Sequence, residues 1–175
     1  KKGLVIPLHG HCSNISEGLK ASTLQAMGRH KLGDKAKPLE DMPCSNIEEA
    51  IEFLKQLNII AKSTKLDRIA IIWDEFGRNI EKLLSDGQSS KLNEVQLLAE
   101  FASRSKTLPI VIGLLMHQGL LNYTNNVPQS IRSEWVKIEG RFQSLQYVDD
   151  SKEIHQLISE VITHQKQPIQ IKPKE

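Results

Sequence analysis

The sequence predicts an α/β fold, a three-layer sandwich in which a mostly parallel sheet is flanked by helices. Short apolar segments rich in branched residues alternate along the chain with longer segments of helical periodicity. Such alternation is typical of parallel strands joined by right-handed crossovers. The length of 175 residues, with 39% hydrophobic residues, suits one domain with a sizeable core. We therefore expect one α/β domain over residues 1–164 and a polar tail over residues 165–175.

Four segments are predicted strands. Leu4–Leu8 is short and apolar, and its Pro7 predicts an edge strand because proline cannot donate to a ladder. Arg68–Trp73 is an almost continuous apolar run, which suits a central strand buried on both faces of a parallel sheet. The other two strands are Leu108–Met116 and Arg141–Val148. We expect the third strand to lie parallel to the second and beside it.

Helical periodicity fills the segments between these strands. Apolar residues recur at helical spacing in the predicted helices, which are Ile15–Arg29 with Ser13 or Asn14 as its cap, a helix capped by Ser45, Asn79–Leu84, Leu92–Ser103, Ser130–Ile138 and a helix beginning at Ser151. In contrast, Lys31–Cys44 contains two prolines and a glycine. We therefore expect that segment to form a polar surface loop.

Composition and charge exclude several classes of function. A formal net charge of +2 is too small to indicate a nucleic-acid surface by itself. No apolar run approaches the ~20 residues that span a bilayer, and no signal peptide is visible, so no membrane association is expected. The two cysteines, Cys12 and Cys44, form no disulfide or metal framework, and the reducing cytoplasm is the expected location.

Two short clusters are weaker candidates for function. His9, His11 and Cys12 are ligand-type residues at close spacing, but a metal site is disfavoured without a distant second pair of ligands. Three lysines between residues 31 and 37 could contact DNA phosphates. A solvated loop is the favoured interpretation of that second cluster.

Two adjacent acids, Asp74 and Glu75, come directly after the buried strand Ile69–Trp73. Two carboxylates at such a place are costly unless a cation neutralises them. With a nucleotide-bound Mg²⁺, Asp74 can hold the ion through water, and Glu75 can orient and deprotonate the attacking water. The alternative is that Asp74 caps the next helix while Glu75 is solvated. The whole pattern of apolar strand, two acids and Phe-Gly favours the magnesium interpretation.

Polar residues also follow the other predicted elements. His117 and Gln118 come at the end of the predicted strand Leu108–Met116. There either side chain could contact the attacking water or the γ-phosphate. A neutral histidine bonded to a backbone carbonyl is an equal alternative for His117. Arg141 could stabilise phosphate charge, and a structural ion pair is an equal alternative for it.

These residues carry a resemblance to a known family. Ile69–Gly77 resembles the Walker B segment of P-loop NTPases with a catalytic glutamate, the AAA+-like branch. More narrowly, Asp-Glu-Phe-Gly-Arg, then Leu-Leu-Met-His-Gln, then Glu-Trp-Val-Lys-Ile-Glu-Gly-Arg-Phe are similar to large bacterial ATPases of phage-defence loci. This similarity covers about residues 68–162.

The resemblance implies a P-loop NTPase-like fold that uses ATP and Mg²⁺. It implies Asp74 as the Mg²⁺ residue and Glu75 as the residue that activates water. Gln118 or His117 would be the sensor-like polar group on the next strand. Arg141 could be a phosphate-sensing or trans-acting arginine.

The chain departs from that family in one important respect. A Walker A loop needs Gly-Lys followed by Ser or Thr, so that its backbone amides and lysine hold the phosphates. No such sequence occurs here. Because the chain begins with Lys, we expect a fragment of a longer polypeptide, with the missing loop before Leu4 and with Leu4–Leu8 as the second strand of the fold.

The sequence therefore supports two main hypotheses. The first is a fragment of an ATPase module that couples ATP binding and hydrolysis to conformational change, in a bacterial defence or DNA-transacting complex. Its expected partners are the nucleotide, which the upstream region would help to bind, and other proteins or further copies of itself. DNA binding is possible but has no support in the sequence. The alternative is a non-catalytic α/β scaffold or protein-interaction domain. A nuclease using Asp74 and Glu75 would need a nearby strand lysine and another acid, which the sequence does not offer.

Overall fold

The computed structural model describes residues 2–146, apart from residues 89, 90, 107 and 126. The predicted helix beginning at Ser151, the tail over 165–175 and the last residues of the predicted strand Arg141–Val148 lie outside the described residues. All helices and strands given below belong to one compact unit, Lys1–Gln143.

Three parallel strands form a sheet in the order β1-β2-β3. They are β1 (Gly3–His9), β2 (Arg68–Asp74) and β3 (Ile110–Leu114). The structure confirms that the strand ending in Asp74 is central in the described sheet and that β3 lies parallel to it and beside it. Within the described sheet β1 is an edge strand, as its proline predicts.

Helices connect and flank the strands. They are α1 (Ile15–Arg29), α2 (Gly33–Glu40), α3 (Ile47–Ser63), α4 (Phe76–Ser85), α5 (Leu92–Ser103), a 3₁₀ helix (Leu120–Thr124) and α6 (Gln129–Glu139). In the part of the chain that the structure describes, no helix is long and apolar enough to cross a membrane.

Local side-chain hydrogen bonds fix where α1 and α3 begin. Asn14 caps α1 by accepting hydrogen bonds from the amides of Ser16 and Glu17. Asn46, and not the expected Ser45, caps α3, because the Asn46 side chain accepts from the amide of Glu49. Ser45 instead donates to the Glu49 carboxylate from its amide and its hydroxyl, as in a capping box.

Two predictions of secondary structure are wrong. Lys31–Cys44 is not a loop throughout, because Ala36 and Leu39 are buried in α2 against the neighbouring helices. That burial outweighs the weak helix propensity of a segment containing proline. The predicted strand at Arg141 is absent from the described residues 141–146. The amides of Arg141 and Phe142 bond back to Ile138 and Glu139, which extends the end of α6 as a turn.

One face of the sheet forms the core. Helices α1, α3 and α5 pack on the strands, and alternate strand residues are buried beneath them: Leu4, Ile6, Ile69, Ile71 and Ile110. Trp135 and Ile138 of α6 are buried too, and α6 packs on α5. Strands laid down in sequence order with right-handed crossovers place their connecting helices on the same side.

The opposite face of the sheet is open in the described structure. Val5, Ala70 and Val111 form one row across the three strands. Val5 is 50% exposed and Val111 is 55% exposed, and Pro7 is exposed as well. The prediction of a parallel sheet flanked by helices is thus confirmed. Among the described residues, however, helices cover only one face of the sheet, so the expected third layer is not present there.

The open face predicts a contrast between two neighbouring residues. Lysine at Val111 stays in water, so we expect Val111→Lys to change the free energy of unfolding by less than about 0.5 kcal/mol. Ile110→Lys would bury a charge in the core and lower that free energy by about 4 kcal/mol or more. Urea denaturation of both variants measures the difference. Equal losses would show that the second face is covered in solution.

Candidate functional site

The two acids lie where β2 turns into α4. Asp74 is the last residue of β2, and Glu75 takes a left-handed conformation with φ 52° and ψ 36°. This conformation costs a residue with a side chain about 1–2 kcal/mol. Two hydrogen bonds hold the turn, from the Glu75 amide to Asp74 Oδ1 at 2.9 Å and from the Phe76 amide to the Leu115 carbonyl at 3.0 Å. The acids are therefore fixed at the carboxyl ends of β2 and β3.

The loop after β1 is tied to the same edge. The Gly10 amide donates to the Asp74 carbonyl, and the Trp73 indole donates to the Gly10 carbonyl, both at 2.9 Å. Gly10 has a φ of 60°, which glycine adopts without strain. The Trp73 ring also packs edge-to-face on Phe76, with the ring centroids 4.8 Å apart. These contacts keep the end of β1 beside the acids.

Asn79 provides a second anchor for this loop. It is fully buried on α4, and its Oδ1 accepts from the Cys12 amide at 3.1 Å and lies 3.2 Å from His11 Nδ1. Its Nδ2 has no hydrogen-bond partner among the described residues. This hydrogen bond links the backbone of the loop after β1 to a buried side chain of α4, and it therefore favours one conformation of the loop.

The cluster of His9, His11 and Cys12 is divided between different contacts. His11 approaches Asn79, whereas His9 approaches the two acids. The Cys12 thiol donates to the Asn14 carbonyl, and burial raises the pKa of Cys12 above its ordinary value. A raised pKa disfavours the thiolate that binds metals. These contacts give the three side chains separate roles.

His9 and Arg78 surround the Glu75 carboxylate. Glu75 Oε2 lies 3.3 Å from His9 Nε2 and 3.1 Å from Arg78 Nη1. The same oxygen is buried, and neither contact has the geometry of a hydrogen bond. His9 Nδ1 lies 3.7 Å from Asp74 Oδ2. Glu75 Oε2 therefore lies between two basic side chains, while the Asp74 carboxylate is 58% exposed.

A small cavity joins the ends of β2 and β3. It has a volume of about 120 Å³ and is lined by Asp74, Glu75, Leu115, Met116 and His117. His117 thus lies at the same site as the two acids, whereas Gln118 does not line the cavity. The volume is well below the range of about 300–1,000 Å³ that is usual for small-molecule sites. This cavity can take water or a hydrated ion, and it is too small to enclose a nucleotide.

Arg141 lies elsewhere. Its Nη2 is 2.9 Å from Glu100 Oε1, and Glu100 is near the end of α5. Because α5 leads into the start of β3, this ion pair lies towards the edge where the strands begin, opposite the acids. In this chain Arg141 makes the structural ion pair that the sequence left open as an alternative.

The acids suit a magnesium ion only in part. Among the described residues, no group of three or more His, Cys, Asp or Glu is placed to hold a metal. Mg²⁺ commonly uses one or two carboxylates together with water and substrate phosphates. The exposed Asp74 carboxylate is compatible with that arrangement.

Three contacts of the site were not predicted from the sequence. The approach of His9 to the acids follows from the register that pairs His9 with Asp74, a pairing visible only once β1 and β2 are known neighbours. Arg78 lies three residues after Glu75 on a helix, a spacing that often brings charges together. The buried Asn79 carries no signal in the sequence that separates it from an exposed helix residue.

Comparison of the chain with protein-family models, with curated proteins and with solved structures found no match in any of the three. The resemblance to P-loop ATPases therefore depends on the sequence segments quoted above. The geometry of the acidic edge has to be judged on its own chemistry.

Gly77, in the first turn of α4, provides a stability test of this site. A Cβ at residue 77 would collide with the Tyr123 side chain. We therefore expect Gly77→Ala to lower the free energy of unfolding by about 1–2 kcal/mol, because overpacking outweighs the better helix propensity of alanine.

The control is the same change in a Tyr123→Ala background. There the collision is gone, and Gly77→Ala should raise the free energy of unfolding by up to ~1 kcal/mol. Thermal and urea denaturation of the four proteins gives both values. The same sign in both backgrounds would contradict the proposed contact between Gly77 and Tyr123.

Proposed function

We propose that this chain is part of an ATPase module, in which Asp74 serves the magnesium ion and Glu75 activates the attacking water. The observation that carries the proposal is the pair of acids at the carboxyl end of the central described strand. In open parallel sheets, ligands bind beyond that edge of the strands. The resemblance of Ile69–Gly77 to a Walker B segment supports the same assignment.

The two acids have different surroundings, which suits different roles. The Asp74 carboxylate is mostly exposed and is free to accept water molecules of a hydrated ion. When bound, Mg²⁺ would neutralise charge on the phosphates and orient them. Glu75 is largely enclosed, so its carboxylate can be directed at one water molecule and take up a proton from it.

His117 completes the proposed polar edge. It lines the same small cavity as both acids, at the end of the neighbouring strand. A neutral imidazole there can donate to the attacking water or to a phosphate oxygen. Gln118 is one residue farther from the cavity, so His117 is the better candidate for the sensor-like group.

The phosphate-binding part has to come from outside this sequence. Backbone amides of a glycine-rich loop and a lysine normally provide most of the phosphate contacts, and no such loop occurs here. The setting in a bacterial defence or DNA-transacting complex and the protein partners are proposed from the resemblance alone. The cytoplasmic location is proposed from the lack of a disulfide or metal framework of cysteines.

The central experiment compares Glu75→Gln with Asp74→Ala in a polypeptide that includes the phosphate-binding loop. Glutamine keeps the shape of Glu75 and removes its basicity, so turnover should fall about 10²–10⁴-fold while ATP binding is kept. Asp74→Ala should weaken binding of Mg-ATP as well. Steady-state hydrolysis and equilibrium nucleotide binding measure the two effects.

The alternative function is a non-catalytic scaffold. It is favoured by the contacts of Glu75 with His9 and Arg78, since a carboxylate occupied in this way can have a purely structural role. Wild-type hydrolysis by Glu75→Gln, or a complete polypeptide that carries no phosphate-binding loop, would make this alternative the better one.

The missing loop leads to a prediction for the 175-residue chain itself. We expect Mg-ATP to bind it with an affinity weaker than about 1 mM, because the cavity at the acids holds water or an ion and not a triphosphate. Isothermal titration calorimetry measures this affinity. Micromolar binding by the 175 residues would show that they contain a complete phosphate site.

A further inference from the structure

Arg78 lies in the first turn of α4, next to the acidic edge. Its side chain is 70% exposed, and its Nη1 lies 3.1 Å from the buried Oε2 of Glu75. The position is fixed by the chain, because Glu75 precedes α4 directly and Arg78 follows three residues later. The guanidinium therefore lies between the Glu75 carboxylate and solvent.

The contact between Arg78 and Glu75 is easily exchanged. It lacks hydrogen-bond geometry, and within the described residues the Arg78 guanidinium contacts no other carboxylate. Exposed ion pairs three residues apart contribute little to stability. A guanidinium has five N–H donors in a planar arrangement that matches the oxygen atoms of a phosphate.

The negative charge at this edge favours the exchange of the Arg78–Glu75 contact for a contact between Arg78 and a phosphate. Asp74 and Glu75 place two negative charges at this edge, and they repel a triphosphate unless cations are present. Arg78 is a permanent cation at the same edge. Its movement towards a phosphate would remove one of the two basic groups beside Glu75 Oε2, leaving His9 on the other side, so water could approach that oxygen from the side of Arg78.

We propose that Arg78 binds a nucleotide phosphate and that this binding releases the Glu75 carboxylate. The inference rests on the proposed ATPase function and assigns a substrate-binding residue to it. In the nucleotide-free chain Arg78 covers Glu75 together with His9. In the nucleotide complex the guanidinium donates to phosphate oxygens, and Glu75 is free to accept a proton from water.

The test compares three variants in the complete polypeptide. Arg78→Ala should raise KM for ATP about tenfold and leave kcat within about twofold, since a binding contact is lost and the base is uncovered. Arg78→Lys, which keeps the charge without the planar donors, should show an intermediate KM. Lys82→Ala removes a similar exposed cation from the same helix, one that pairs with Asp86 at 2.9 Å, and should leave both constants unchanged.

Two results would overturn the proposal. An unchanged KM in Arg78→Ala would show that the guanidinium does not bind the nucleotide. A lower kcat with unchanged KM would show that Arg78 positions Glu75 and makes no phosphate contact. Glu75→Gln separates this inference from the proposed function: if that variant hydrolyses ATP at the wild-type rate, the ATPase assignment itself is wrong.

Discussion

The pairing of β2 with a parallel strand on each side is the constraint on which the candidate site depends. It places the end of β1, the acids after β2 and the residues after β3 at one edge of the sheet. The register pairs His9 with Asp74 and Trp73 with Leu114. Contacts within one helix could not bring these residues together, because the partners of each pair lie far apart along the chain. The chemistry proposed at this edge is thus a consequence of strand order.

The turn at Glu75 shows how the fold offsets a local cost. A left-handed residue with a side chain is unfavourable, yet here it is surrounded by stabilising contacts. The Phe76 amide bonds to Leu115, the Trp73 indole bonds to Gly10, and the Trp73 and Phe76 rings pack together. Strained backbone at a strand end is common where a side chain has to be presented in one direction. In this chain that side chain is the carboxylate assigned to water activation.

The sequence predicted the parts of the fold that have strong local patterns. The apolar run before Asp74 identified the central strand, and helical spacing identified α3 and α5 within a few residues. It failed for α2, where burial of Leu39 by neighbouring helices outweighs composition. It also failed at Arg141, where an imperfect alternation suggested a strand and the chain instead continues the hydrogen bonding of α6.

For the candidate site, the sequence predicted the acids and the nearby histidine because each follows a predicted strand. The sequence did not predict which side chains of different helices and strands contact one another. Arg141 was a reasonable phosphate-binding candidate by residue type, yet its partner is Glu100 on α5. Nothing in the sequence groups Arg78 and His9 with the acids, since their positions beside them depend on strand register and on where α4 begins. Long-range pairing is decided by packing, which a single sequence does not display.

The open face of the sheet departs from the predicted three-layer fold. Val5, Ala70 and Val111 give that face an apolar surface, and parallel sheets are normally covered on both faces. Apolar area left in water contributes nothing to the hydrophobic stabilisation of the fold. For the proposed ATPase, the acidic edge would supply the groups for an ion and a water molecule, whereas the Gly-Lys-Ser/Thr sequence of a phosphate-binding loop does not occur in this sequence. The described residues thus form one layer of helices on a sheet whose second face stays exposed among those residues, and a phosphate-binding loop is the part that the proposed ATPase would still need.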